Sequence, residues 1–228
     1  MTTSDFKIQV TDADSVSARL YPAAKAERTL VSLILGHGAG ANQLSGFMRL
    51  FSAGLAERGL DVVTFNFLYM EQGRKIPDPA ARLESCYRAV IDAVVKHKKL
   101  KGNRVVIGGK SMGGRIASQV AASQPGDMDG LVFLGYPLHP PGRPDKLRSE
   151  HLPKIKAPML FVQGSRDAFG TKQEIVTIIK GLKLRAELYS VEGGDHSLKA
   201  PKSVGPQEQI YSETMDAIKT WIKQNIQR

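Results

Sequence analysis

Residues Arg104–Ala122 read RVVIGGKSMGGRIASQVAA. The β-branched run Arg104–Ile107 predicts a strand, and the apolar spacing over Gly113–Ala122 predicts a helix, with Gly109, Lys110, Ser111, Met112 and Gly113 between them. A G-x-S-x-G set between a strand and a helix has a physical meaning. The chain reverses so tightly that the serine backbone is strained and the residues two positions to either side must be glycine. Such a turn lifts the serine hydroxyl above the sheet edge, at the positive end of the following helix. Two other readings compete. One is a glycine-rich turn with an incidental serine. The other is a phosphate loop, because GGKS resembles its end, but the glycine required five positions before Gly109 is Arg104, inside the strand.

Around this turn the chain alternates short apolar runs with segments of helical period, the pattern of an α/β fold with a mostly parallel sheet. Strands are predicted at Phe6–Val10, Ser15–Tyr21, Thr29–Leu35, Asp61–Phe65, Arg104–Ile107, Gly130–Leu134, Pro158–Gln163 and Ala186–Val191. Helices are predicted at Leu44–Arg58, Ala80–Lys98, Gly113–Ala122, Thr171–Lys180 and Pro206–Ile226. The first two strands read as an antiparallel hairpin through Asp12–Asp14. A proline-rich, basic stretch from Tyr136 to Pro158 reads as an ordered excursion, and residues 1–228 as a single domain.

A serine hydroxyl needs a base, and the base works best when a third group holds its tautomer. After Ser111, the strand PMLFVQ runs into Gly164, Ser165, Arg166 and Asp167, and the strand AELYSV runs into Glu192, Gly193, Gly194, Asp195 and His196. Both loops leave the C-terminal edge of the sheet. Asp167 is therefore the expected orienting acid and His196 the expected base, in the chain order of α/β-hydrolases. Asp195 is set aside because a sequence neighbour seldom reaches the far Nδ1 of the histidine.

The strand Thr29–Leu35 enters Gly36, His37, Gly38, Ala39, Gly40 and Ala41. This loop is expected to aim a backbone N–H at a developing oxyanion, from Ala39 with Gly38 or Gly40 as alternatives, alongside the N–H of Met112. The same glycines fit a loose dinucleotide fingerprint with Asp61 about twenty residues on. Asp61, however, opens its strand, whereas a ribose-binding acid closes one. His37, Gly38, Lys110, Arg115, Arg74 and Arg143 are expected near the substrate, where the cations favour an anionic acyl or leaving group; a solvated basic surface is the competing reading.

Six segments carry a family resemblance: GHGAGAN (36–42), FNF with YMEQGRKIPDP (65–79), GGKSMGGR (108–115), GYPLHPPGRPDKLRSEHL (135–152), FVQGSRD (161–167) and GGDHSL (193–198). Together, from about Leu30 to about Lys199, they resemble the branch of the α/β-hydrolase superfamily typified by the testis-expressed hydrolase-like proteins and the hydrolase-like domain of a non-specific-lethal complex subunit. The resemblance implies an α/β-hydrolase fold with about eight strands and little or no lid. Chain size and the missing lid are also similar to the dienelactone-hydrolase group. That group uses a cysteine nucleophile, whereas Cys86 here lies in a helix before the turn.

Composition bounds the rest. With 42% apolar and 24% charged residues and no run of roughly 18 apolar residues, no membrane span is expected. The lone Cys86 and the absence of a leader-like N-terminal pattern point to a reducing, cytoplasmic setting. The net charge of +10 is spread along the chain, apart from a cluster over Arg143–Lys156, with no basic tract carrying interleaved aromatics. Specific nucleic-acid binding is not expected. The expected activity is acyl transfer to water without metal or organic cofactor, on a small-molecule acyl substrate. A non-enzymatic interaction scaffold and a dinucleotide-binding oxidoreductase are the alternatives.

Overall fold

A computed structural model describes residues 2–124, 128–182 and 185–227. Eight strands form one sheet: β1 (Ser4–Gln9), β2 (Ser15–Tyr21), β3 (Val31–Gly36), β4 (Asp61–Phe65), β5 (Arg104–Lys110), β6 (Gly130–Leu134), β7 (Met159–Gly164) and β8 (Ala186–Val191). Their order is β1-β2-β4-β3-β5-β6-β7-β8. The strands β1 and β2 form the expected antiparallel hairpin, β2 is antiparallel to β4, and pairing from β4 through β8 is parallel. The helices are α1 (Gly46–Glu57), α2 (Leu68–Glu71), α3 (Ala80–Lys96), α4 (Met112–Ser123), α5 (Lys172–Gly181) and α6 (Gln207–Asn225).

Successive strand side chains point to opposite faces, so each central strand feeds two cores. Val31, Leu33 and Leu35 of β3, with Val106, Val132, Leu134, Leu160 and Val162, pack under α1 and α6 against Phe51, Leu55, Ile218 and Trp221. The alternate residues Ile34, Val63, Phe65, Ile107, Leu131, Phe133 and Phe161 pack under α3, α4 and α5 against Tyr87, Ile116, Val120 and Ile175. Burial on both faces explains why these strands read as continuous apolar runs.

Parallel pairing brings the C-terminal ends of β3, β5, β7 and β8 to one edge of the sheet. The loops that carry His37–Ala41, Ser111, Asp167 and His196 all leave from that edge.

Candidate active site

The link from β5 to α4 is closed at Ser111, whose φ of 51° and ψ of −114° lie in a region that side-chain-bearing residues seldom occupy. Contacts on both sides hold it there. The Ser111 N–H donates to the Leu134 carbonyl at 3.1 Å, and the Ser111 carbonyl accepts from Arg115 N–H at 3.0 Å. Gly109, with φ of +147°, and Gly113 press against β3 so closely that a Cβ on either would overlap the Gly36 carbonyl. Below the turn the buried Tyr87 hydroxyl accepts from Gly108 N–H at 3.0 Å and faces the Ile34 and Gly108 carbonyls at 2.8 and 2.7 Å.

Three distant side chains meet at this turn. His196 Nε2 lies 2.8 Å from Ser111 Oγ, and His196 Nδ1 lies 2.7 Å from Asp167 Oδ2. The carboxylate accepts only, so Nδ1 carries a proton toward Asp167, leaving Nε2 free to accept from the serine hydroxyl. Asp167 is fully buried; its Oδ2 also accepts from Gln163 Nε2 at 2.8 Å, and its Oδ1 from Phe169 N–H at 2.8 Å. The Phe169 ring stacks on the imidazole at 4.2 Å between centroids. Asp195 points elsewhere, accepting from the Ser197 and Lys199 N–H groups at 2.7 and 2.9 Å.

Gln163 and Phe169 were not singled out in the sequence. Gln163 does leave a trace, as a polar residue within a strand buried along its whole length. Its amide binds Asp167 and the Gly170 and Tyr136 carbonyls, while its carbonyl oxygen accepts Tyr136 N–H at 2.7 Å. One side chain thus ties the acid loop to the start of the proline-rich excursion.

Of the residues expected near substrate, Gly38, Lys110 and Arg115 line a cleft of about 620 Å³ around Ser111 and His196. Ala39 and Met112 line it too, and among the described residues neither backbone N–H has a protein acceptor. Gly38 lies against Ser111: a Cβ there would rest 3.7 Å from the Ser111 Cβ.

His37, in contrast, faces away from the cleft and is fully buried against Phe67. Its Nε2 accepts from Phe67 N–H at 3.1 Å, so Nδ1 bears the proton and donates to the Gly38 carbonyl at 2.9 Å. Burial pushes its pKa down to about 4. His37 therefore braces the loop beside Ser111 and does not face the cleft. Arg74 and Arg143 are also elsewhere. Arg74 does not line the cleft but is held behind its wall by Asp78 at 2.6 Å and by Gln72, and Arg143 lies in an exposed turn 3.5 Å from Asp145.

The Lys110 ammonium passes Ser111 to donate to the His196 carbonyl at 2.6 Å. Burial lowers its pKa to about 8 against the opposing pull of Asp167 and Asp195. Cys86 is buried in α3, where burial pushes its thiol up to about 12, so it is no nucleophile at neutral pH. Asp61 is occupied at the opposite end of the sheet by Ala23 N–H, Arg28 and Asn103, all within 3.0 Å. Among the described residues no cluster of three or more His, Cys, Asp or Glu side chains converges as metal ligands would, and no helix is long and apolar enough to cross a membrane.

Residues 29–223 match the model of the α/β hydrolase domain family. The chain belongs to the α/β-hydrolases. Its fold is similar to that of a lidless α/β serine hydrolase from Xanthomonas campestris, at a TM-score of 0.76 and 16% identity over 97% of this chain and 94% of that one. It is similar also to a dienelactone hydrolase from Anabaena variabilis, at 0.75 and 20% identity over 99% and 98%. The esterase Est1E from Butyrivibrio proteoclasticus aligns at 0.76 and 15% identity over 98% and 99%. These likenesses concern the fold, and the family match supports a hydrolase.

Proposed function

We propose that this α/β-hydrolase is a serine esterase or thioesterase that works through an acyl-enzyme. The observation that carries the reading is the unbroken hydrogen-bonded line from Ser111 Oγ through His196 to Asp167, at 2.8 and 2.7 Å. Ser111 Oγ attacks the substrate carbonyl carbon as its proton passes to His196 Nε2, and Asp167 stabilises the imidazolium. The carbonyl oxygen becomes an oxyanion between the N–H groups of Ala39 and Met112, each worth about 3 kcal/mol to the transition state. His196 returns the proton to the leaving oxygen or sulfur as the carbon–leaving-group bond breaks. Water, deprotonated by the same nitrogen, then releases the carboxylic acid and restores Ser111.

Apolar Phe47, Met48, Leu83 and Phe169 in the cleft wall suit a short hydrocarbon body. We also place the chain in the branch that its motifs resemble, on the order and spacing of the six quoted segments. The structurally similar Est1E, known with ferulic acid bound, is a precedent for a small carboxylic acid on this fold.

A fluorophosphonate probe is expected to label the wild-type chain and leave Ser111→Ala unlabelled. Against a panel of esters, thioesters, lactones and peptides, turnover by wild type is expected to fall to the uncatalysed level in Ser111→Ala. Equal labelling of both proteins, or turnover that survives the substitution, would remove Ser111 from the mechanism.

A further inference from the structure

The proline-rich excursion between β6 and β7 has a definite architecture. Tyr136, at its start, donates its buried hydroxyl to the Arg148 carbonyl at 2.8 Å, and Arg148 N–H donates to the Leu138 carbonyl at 2.8 Å. Three residues on, His151 Nε2 lies 2.7 Å from Ser118 Oγ of α4. The excursion is thereby tied to itself at Arg148 and to α4 at His151, and Arg148 lines the cleft that holds Ser111.

Arg115, one helical turn beyond Ser111 on α4, lines the same cleft. Both arginines also border an adjoining surface hollow, so they are neighbours. Among the described residues neither guanidinium lies within ion-pair distance of a carboxylate. Glu84, across on α3, is held by Arg88 at 2.9 Å, and Glu150, exposed at the rim of the same hollow, makes no ion pair with either arginine. Arg115 has only a long contact to Gln119, at 3.3 Å. Burial, and after it the Arg148 charge, lowers the pKa of Arg115 from its ordinary value, which marks the cost of keeping two cations together. Among the described residues the one carboxylate in the cleft wall, Asp78, is engaged by Arg74 at 2.6 Å and Arg82 at 3.6 Å. Two adjacent, partly desolvated guanidinium groups without a counter-ion complement an oxyanion that enters with the substrate.

We infer that Arg115 and Arg148 form an anion subsite and that the enzyme prefers esters or thioesters bearing a carboxylate a few carbons from the scissile carbonyl. The inference rests on the acyl-hydrolase reading for its chemistry. The excursion serves it by delivering Arg148, and Tyr136 is a positioning residue that acts through the Arg148 backbone. One helical turn from Ser111 plus the reach of an arginine corresponds to a spacer of about four methylenes.

The test compares mono-4-nitrophenyl adipate with 4-nitrophenyl hexanoate, which has the same acyl length and no charge. Wild type is expected to favour the adipate ester by about tenfold or more in kcat/KM, as charge-assisted contacts allow. Arg115→Gln and Arg148→Gln are expected to lose most of that preference through KM, read as the adipate-to-hexanoate ratio of kcat/KM within each variant. Tyr136→Phe is expected to lose about threefold on the adipate ester alone, and Arg143→Gln to change neither substrate. An adipate-to-hexanoate ratio near one in wild type, or unchanged in both glutamine variants, overturns the subsite while leaving the hydrolase reading standing. If neither ester shows Ser111-dependent turnover, the hydrolase reading is decided by the fluorophosphonate probe and the wider panel, and calorimetry of Ser111→Ala with monomethyl adipate decides the subsite. Binding that disappears on adding Arg148→Gln upholds it, and no binding, or binding that persists, overturns it.

Discussion

Lys110 precedes the nucleophile in the chain, yet its ammonium acts on the base, through the 2.6 Å bond to the His196 carbonyl. A charge-assisted bond of this kind is worth about 1.5–3 kcal/mol, and its loss loosens the loop that sets the imidazole angle. Lys110→Met is accordingly expected to lower kcat by about tenfold with little change in KM for a neutral ester. The native ammonium has a pKa near 8 and is lost as pH rises, so wild-type kcat should decline above that value. The Lys110→Met profile should lack the decline. Steady-state rates from pH 6 to 10 check both points, and matching profiles would show that the tether does not matter. Ser111, Asp167 and His196 were legible in the sequence because each follows a strand whose end is marked by glycine. His37 was misplaced at the ligand because a histidine in a glycine loop looks available, whereas the partners that turn it inward, Phe67 N–H and the Gly38 carbonyl, are a tertiary feature. Arg148 was missed for the converse reason. Nothing in a proline-rich stretch tells which of its cations folds back over α4.

The elements that build the site were legible where periodicity ran long enough. Ser15–Tyr21, Asp61–Phe65, Gly130–Leu134 and Ala186–Val191 match their strands end to end, and the longer helices shift by a few residues at most. The helix α2, of four residues, has no periodicity to reveal it. The β5–α4 junction is the element on which the proposed catalysis depends, and its glycines are sterically required. Gly113→Ala would drive a methyl into the Gly36 carbonyl of β3, which can move only by disturbing the loop behind it. Overpacking of this kind costs about 1–3 kcal/mol, and the displaced nucleophile is expected to lose more than about a hundredfold in kcat. Gly46→Ala, at the start of α1 where a Cβ meets open space, is the matched control and should be neutral or slightly stabilising. Urea unfolding and esterase rates on the two variants separate these cases. A Gly113→Ala protein as stable and active as the Gly46→Ala protein would contradict the packing argument.

At the scale of the whole molecule, two histidines are withdrawn from solvent to different degrees: His37, fully buried under the β3 loop, and His151, half-buried against α4. Burial is the first cause in both of a pKa near 4, well below the 6.5 of an exposed imidazole, and for His151 the charges of Arg115 and Lys154 add to it. Between those two values the unfolded chain binds protons that the native fold refuses, so stability falls as pH drops from about 6.5 toward about 4 and is undiminished above that window. For the fully buried His37 the shift corresponds to at most about 3 kcal/mol. His151 is partly exposed and contributes less, because solvent screens it. Glu71, held down to about 2 by its bonds to Lys7, Ser17 and Asn66 against the opposing effect of burial, adds a further loss that begins only near the ordinary carboxylate range. Urea midpoints taken from pH 7.5 to 4.5 should therefore decline well before the carboxylates titrate. His151→Gln, which keeps a polar partner for Ser118, should flatten the upper part of the decline, and proton NMR should find the His37 ring neutral down to pH 5. Constant midpoints from pH 7 to 5 would mean that the fold admits a proton at both rings without cost, and the brace beneath the nucleophile would then not depend on a neutral His37.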